Sequence, residues 1–589
     1  MATAKLRAEL VNSFGEQFGS DDALCTECIN ICQNFNISPE DLLYKWEAFS
    51  FSATRTGPVI FNLDQALALK RQIQRDMAAE TKKAQQAAQA RPHLANFGRG
   101  RGSRPSGLER MAFGKASPTP ASTRSSNLAG DDRPRTNFAG PSKVAYNGPK
   151  QDEASRKKRN YRYMYEKVSE RSEALDDRID EFSELIREHY NIPELGDPSA
   201  STEEEITVVG RITLDSDSSS GSVKLNEASL TLEASRMMGS GARVPLRFDS
   251  QVRVRGAPRG AGGVGLFPGA IVALKGKNGG GGSFAVSEIL SLPPLKPSTG
   301  SGMKPDPGDT SFSLVIASGP FTLDTDLKYK PWHTLLDNIK STKPAAILLI
   351  GPFTDVAHPR FKNGDIDNTP TDIFRSQFLD SLRTFLDGAP GSIVLLVPSV
   401  RDIISQHAVF PQAEFGPEFA MDPRIRLLPN PCRFSLNDVT FAVNSADVLF
   451  HLRKEEFFKR AEEIDSVPAP PSSEDSGGDA MAKLCRHILQ QRSFYPIFPV
   501  PVDLAHDVNL DITHAADRLK LDVDALDDSA PDVLIVPSRL KHFSKVLDST
   551  IAINPSFLTK AAYATLQYAG SGAGTAHERT KVEIKRLEI

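Results

Sequence analysis

At 589 residues the chain is long enough for more than one hydrophobic core, since single cores seldom grow beyond about 250 to 300 residues. Its 39% hydrophobic and 24% charged residues are those of an ordinary globular protein, and a formal net charge of -4 favours neither nucleic acid nor an acidic partner. No apolar run reaches membrane-spanning length, Met1-Ala2-Thr3-Ala4-Lys5 lacks the apolar core of a secretory signal, and five cysteines are too few for a disulfide scaffold. Membrane and secreted classes are therefore not expected, and a soluble, intracellular chain in a reducing compartment is.

Residues 1-80 read as an N-terminal helical domain. Leu6, Leu10, Phe14 and Phe18 keep one helical face, and Ser38-Pro39-Glu40-Asp41 places an N-cap and a first-turn proline ahead of Leu42, Leu43 and Trp46. Cys25, Cys28 and Cys32 are spaced closely enough for a metal, but no fourth ligand lies nearby, and they share a helix face with Leu24, Ile31 and Phe35. Buried cysteines acting as small hydrophobes are expected.

Across residues 81-159 the composition turns to Gly, Pro, Ser, Arg and Asn, with too few large apolar side chains to offset the entropy of ordering. A basic disordered linker is expected, with 17 lysines and arginines against five acids between 81 and 160, hidden within the near-neutral average. Such a tether would span on the order of 50 Å. Ser117-Pro118-Thr119-Pro120 offers Ser117 and Thr119 to proline-directed kinases. The cluster Arg156-Lys157-Lys158-Arg159 reads either as solvated charge or as a nuclear-import signal.

Residues 160-200 predict a connecting helix running from Tyr161 to Tyr190, with Leu175, Ile179, Phe182 and Ile186 at helical spacing. Tyr161, Tyr163 and Tyr165 ahead of it could stack bases or pack on a neighbour. Residues 201-297 hold five or six short strands between Gly/Ser/Asp turns, the pattern of an OB-type barrel. Its charges are mixed and its outward aromatics few, which favours protein binding over single-strand binding.

Residues 298-589 predict an α/β domain. Ser313 to Ala317, Ala345 to Ile350, Ile393 to Val397 and Val533 to Val536 are apolar runs without polar alternation, as in a mostly parallel sheet covered on both faces. Helices are predicted at Lys330 to Ile339, Thr371 to Leu386 and Pro555 to Gln567, a mobile acidic loop at Glu462 to Ala480, and an alternating edge strand from Lys581 to Ile589. Ligands in such sheets bind at the carboxyl ends of strands. Here those ends read Ser318-Gly319-Pro320, Gly351-Pro352-Phe353, Pro398-Ser399-Val400-Arg401-Asp402 and Pro537-Ser538-Arg539-Leu540.

This layout resembles the calcineurin-type metallophosphoesterases, whose active members carry Asp-x-His, Gly-Asp, Gly-Asn-His and Gly-His-x-His after successive strands. Two adjacent divalent metals need roughly four or more ligands each. The resemblance implies degenerate metal-site positions at Ser318, Gly319, Pro352, Ser399, Arg401, Asn444 and His542, with Asp355 and Asp402 left nearby. An inactive phosphodiesterase-like domain with no cofactor is expected.

The flanking words Leu266-Phe267-Pro268-Gly269, Gly351-Pro352-Phe353-Thr354-Asp355, Pro398-Ser399-Val400-Arg401-Asp402, Asn430-Pro431-Cys432 and Gln491-Arg492-Ser493-Phe494-Tyr495-Pro496 occur in an order similar to that of the B-subunit family of eukaryotic DNA polymerase alpha. The likeness covers roughly residues 160-585. It implies a nuclear, noncatalytic accessory subunit that grips the C-terminal, zinc-bearing region of the polymerase alpha catalytic subunit. It further implies assembly with the primase subunits, recruitment of replisome factors by the N-terminal domain, phosphorylation of the tether, and weak or indirect contact with DNA. The equivalent subunits of polymerase delta or epsilon, a single-strand-binding OB protein and an active phosphoesterase are the alternatives.

Overall fold

The structure is a computed structural model. It describes residues 142-162, 167-214, 224-280, 282-298, 311-420, 422-468, 479-513, 516-521, 529-570, 572 and 574-588, together with 6-7, 10-11, 14, 18, 21-35, 37-53, 61-63 and 65-70. Contacts divide the chain into Met1–Gly130 and Asp131–Ile589. Tyr163, Tyr165, Ser117 and Thr119 lie outside the described residues, as does the expected linker up to 141.

The first unit contains α1 (Asp22–Phe35) and α2 (Pro39–Ala53). Ser38 Oγ accepts from the Asp41 amide at 3.1 Å, the cap that the Ser-Pro-x-Asp pattern predicts. Cys25, Cys28 and Cys32 are buried in one cluster with Leu10, Ile31, Leu42 and Trp46, so they pack as hydrophobes. Burial pushes the Cys28 and Cys32 thiols up, to about 12 and about 11.

The second unit begins earlier than the composition of 81-159 predicts. Residues 142-159 carry β1 (Tyr146–Asn147) and α3 (Glu153–Arg159), both docked on the body. A segment poor in large apolar groups is ordered here by backbone pairing and ion pairs supplied by a preformed surface. The connecting helix α4 (Val168–His189) starts later than expected. Its Ile179, Phe182 and Ile186 pack against Val209, Ile271, Ala273 and Leu290 on the outside of the next domain.

That domain contains β2 (Ile206–Leu214), β3 (Leu230–Glu233), β4 (Arg243–Arg255), β5 (Gly263–Leu266), β6 (Ile271–Lys277) and β7 (Phe284–Leu290), all but β5 closing into a barrel. Strands β2, β3, β4, β7 and β6 form the ring, each pairing antiparallel except the parallel β4 and β7, and β6 returns to β2. This strand order, with one parallel closure, is that of an OB barrel. At the β6 register shift, a Cβ on Gly276 would lie 2.0 Å from the Ala285 carbonyl, so only glycine fits.

The third part is a two-sheet sandwich with helices outside. The first sheet comes from β8 (Phe312–Ser318), β9 (Ala346–Ile350), β10 (Ile393–Val397) and β11 (Ile425–Leu427), all parallel, with α5 (Lys330–Thr342) and α6 (Asp380–Gly388) on its outer face. The second sheet contains β12 (Cys432–Leu436) and β13 (Val439–Val443), and α7 (Val448–Glu455) follows it. The chain then lends β14 (Phe457–Arg460) and β15 (Glu462–Ile464) to the barrel, pairing with β5 and β4. The predicted mobile loop is therefore structured over Glu462–Ile464. The Glu463 carboxylate anchors it by accepting from the Gly260 and Gly262 amides at 3.0 and 2.7 Å.

After α8 (Ala480–Gln490), strands β16 (Val533–Ile535), β17 (Phe543–Leu547) and β18 (Thr550–Asn554) complete the second sheet, in the order β1-β12-β13-β16-β18-β17. The fourth apolar run thus lies in the second sheet, not beside the first three. Strand β19 (Ala562–Tyr568) and the edge strand β20 (Thr580–Arg586) extend the first sheet beyond β8. The helix predicted from Pro555 to Gln567 is overturned: its three alanines and two leucines favour helix, but Ala561 at φ 57° ends a short turn, and antiparallel pairing with β8 draws the chain beyond it, with Tyr563 and Thr565, into a strand.

The core between the sheets joins Leu314, Leu348, Leu395, Phe441, Val533 and Ile553. The central strands β9, β10 and β16 are buried along their whole length because the opposite sheet covers one face and helices the other. A second core runs from the barrel interior at Ile212 and Leu246 through Leu484 and Ile488 of α8 to Leu534. Barrel and sandwich therefore share apolar packing.

Candidate functional site

The strand ends that would bear metal ligands are held by a buried carboxylate. Asp402, 3% exposed, accepts at one oxygen from the amides of Phe353 (2.5 Å) and Thr354 (2.9 Å), and at the other from Ser399 (2.8 Å). Those donors belong to the loops after β9 and β10, so one side chain ties two rim loops together. Burial pushes its carboxyl up to about 7, against the downward pull of the three amides.

The neighbouring carboxylate is engaged by a cation. Arg401 Nε donates to one Asp355 oxygen at 3.0 Å and Nη2 to the other, a two-pronged pair on a carboxylate whose side chain is 8% exposed. The two acids that the sequence leaves at this rim are thus a loop clasp and half of an ion pair. Neither presents free oxygens toward a shared point.

Backbone packs tightly under the rim. The Gly319 amide donates to the Ile350 carbonyl at 2.7 Å, and a Cβ there would lie 2.0 Å from the Pro352 carbonyl, so Ser318-Gly319 and Gly351-Pro352 interlock. Behind them, the Phe353 and Phe321 rings stack at 5.2 Å, and the Tyr329 hydroxyl donates to the Phe353 carbonyl. Ser399 is 4% exposed, beneath a side chain absent from any sequence motif: Gln412 Nε2 donates to the Ser399 carbonyl at 3.1 Å and to Ser405 Oγ at 2.8 Å. Gln412 and Asn430 exchange backbone hydrogen bonds, and Asn430 in turn donates to Ser445 Oγ at 2.7 Å and accepts from its amide.

A chain of neutral amides therefore connects the end of β10 with the end of β13. Asn430 was legible in the Asn-Pro-Cys word. Gln412 carried no local signal, because its role depends on a loop returning from elsewhere.

Asn444 is fully buried and turned inward, donating to the Phe494 carbonyl at 2.9 Å and accepting from the Ala446 amide. His542 is partly buried on the loop before β17, with no hydrogen bond to the other positions. The structure thus unites Ser318, Gly319, Pro352, Ser399 and Arg401 at one rim, while Asn444 at the end of β13 bonds inward to Phe494 and Ala446 and His542 lies on the loop before β17. His451, on α7, pairs Nδ1 with the Tyr495 hydroxyl at 2.8 Å, and burial pulls its imidazole down to about 4. A histidine held neutral and facing a phenol is a packing element. Among the described residues, no group of three or more His, Cys, Asp or Glu is placed to hold a metal ion.

Arg156 and Arg159, half of the predicted import cluster, face inward from α3 onto Glu414, while Lys157 and Lys158 are exposed.

The family model for the DNA polymerase alpha/epsilon B subunit matches residues 314-545, and that for the OB domain of the DNA polymerase alpha B subunit matches residues 172-292. Among curated proteins, the chain is similar to the DNA polymerase alpha B subunit of Schizosaccharomyces pombe, with 34% identity across 73% of this chain and 73% of that protein. The proteins of that name from Saccharomyces cerevisiae and Bos taurus are each 30% identical, over 69% and 67% of this chain and 59% of each relative. The match thus spans about three fifths of the length of the latter two. A solved Thermus thermophilus structure aligns at 12% identity over 47% of this chain and 99% of its own, with a TM-score of 0.21.

Proposed function

Because the chain belongs to the family of DNA polymerase alpha B subunits, we propose that it is a noncatalytic accessory subunit that assembles and tethers the polymerase alpha-primase complex during RNA-DNA primer synthesis. The observation that carries the noncatalytic reading is the use made of the rim acids: Asp402 is spent on three amides and Asp355 on Arg401. Bridging and activating a water between two metals needs several carboxylates and imidazoles free to converge. Here the same positions brace a surface.

The shared core of barrel and sandwich supports a single rigid platform for the C-terminal region of the catalytic subunit. The N-terminal helical unit would serve separate replisome factors, Ser117 and Thr119 would be phosphorylated in the tether, and the chain would work in the nucleus. The test is a pull-down with the catalytic subunit's C-terminal region, comparing residues 142-589 with the barrel alone. Retention by the longer piece, with primase co-purifying from the full complex, is expected. Hydrolysis of a nitrophenyl phosphodiester with added manganese, abolished by chelation, would overturn the noncatalytic reading.

A further inference from the structure

Residues 142-160 lie against the body where β11 and β12 end their sheets. The Lys143 amide donates to the Gly391 carbonyl at 3.0 Å, and Val144 is 4% exposed in the core between the sheets. Tyr146 and Asn147 pair with Leu436 and Ser435 of β12, while Gln151 Nε2 caps the Leu427 carbonyl of β11 at 2.7 Å. One short segment thus lies against one end strand of each sheet, β12 by pairing and β11 by a single cap, edges of the kind that otherwise invite foreign strands.

The segment ends in α3, where the basic cluster divides. Residues three apart share a helix face, and Arg156 and Arg159 both reach Glu414, whose side chain is 2% exposed. Arg156 Nε lies 3.2 Å from one carboxylate oxygen and its Nη2 donates to the Phe415 carbonyl at 3.0 Å. Arg159 takes both oxygens, at 2.8 and 2.5 Å. Arg518 is buried beside the same carboxylate and donates to the Pro411 carbonyl at 2.9 Å. Without Glu414, Arg156 and Arg159 would lose the carboxylate they share, with the buried Arg518 close by.

A receptor that reads four consecutive basic side chains needs them strung out at about 3.3 Å per residue, as in an extended chain. In the helix they rise by about 1.5 Å each and wind around the axis, and here two of the four face the body. We propose that residues 142-160 are an intramolecular strap, latched by Glu414, that withholds the 156-159 cluster from a nuclear-import receptor until the strap leaves the body. The import half rests on the nuclear reading of this chain, whereas the latch stands on its own geometry.

The experiment uses the full chain with Glu414→Gln and, separately, Val144→Asp, which removes the strap's apolar anchor without touching the latch. Limited trypsin digestion follows cleavage after residues 156 to 159, and a purified import adaptor that reads basic clusters is the binding probe. Both variants are expected to be cleaved about tenfold faster or more at these positions while the remainder of the body resists, and to bind the adaptor at least tenfold more tightly. Should Glu414→Gln unfold the body, Val144→Asp carries the test. Wild-type cleavage as fast as in the variants would overturn the latch. Faster cleavage with unchanged adaptor binding would overturn the masking of an import signal while leaving the subunit assignment intact.

Discussion

Asp402 offers the sharpest test of how the rim is built. Replacing it with alanine leaves the amides of Phe353, Thr354 and Ser399 buried without their acceptor. An unsatisfied buried donor costs about 1 to 3 kcal/mol, and water entering the vacated space sets each near the low end. Three donors at about 1 to 1.5 kcal/mol predict a loss of about 3 to 4.5 kcal/mol for Asp402→Ala. Asp402→Asn keeps one oxygen for Phe353 and Thr354 but turns an NH2 toward the Ser399 amide, losing one bond and predicting about 1 to 2 kcal/mol. The chain has two tryptophans, and Trp332 is fully buried on α5, packed against Phe321 and Phe378 beneath this rim. In a Trp46→Phe background, its fluorescence during urea unfolding therefore reports the sandwich alone. The expected order of stability is wild type, Asn, Ala. An alanine variant with the wild-type midpoint and slope would refute the claim that this carboxylate holds the loops.

The same group predicts a pH dependence. A carboxyl raised on folding contributes stability below its unfolded value of about 4, and that contribution is lost as pH rises through the folded value of about 7; the lead of wild type over Asp402→Asn should be larger at pH 5 than at pH 8 by urea midpoint. For Arg401 and Asp355, each single alanine substitution should cost about 1 to 3 kcal/mol, and the double substitution distinctly less than the sum, because each single change strands a partly buried charge. Burial raises Cys28, Cys32 and Cys485 to about 12, 11 and 12, so iodoacetamide at pH 8 should label them slowly in the native chain and rapidly in urea, as followed by mass spectrometry. Phosphomimetic glutamates at Ser117 and Thr119 should weaken nonspecific DNA binding in an electrophoretic shift by lowering the tether's positive charge; equal affinity would remove that role.

The strand ends were legible because their signals are local. Apolar runs closing on Gly-Pro or Pro-Ser located β8, β9, β10 and β16 within a residue or two, and the absence of ligand residues after them was visible by inspection. The alternating, turn-punctuated pattern of 201-297 likewise announced a barrel. Misreadings arose where distant partners decided: residues 562-568 became a strand because β8 had an open edge, and Glu462–Ile464 was ordered by two glycine amides about two hundred residues away.

From sequence alone came the kinds of element, their order, and which side chains stand at each strand end, since periodicity and composition record what a residue's near neighbours require. Only the tertiary structure decided what those side chains do. Asp402 became a clasp, Asp355 a counter-ion and Arg156 a fastening because each depends on partners brought near by folding, and a carboxylate reads the same in sequence whether it awaits a metal, an amide or a guanidinium.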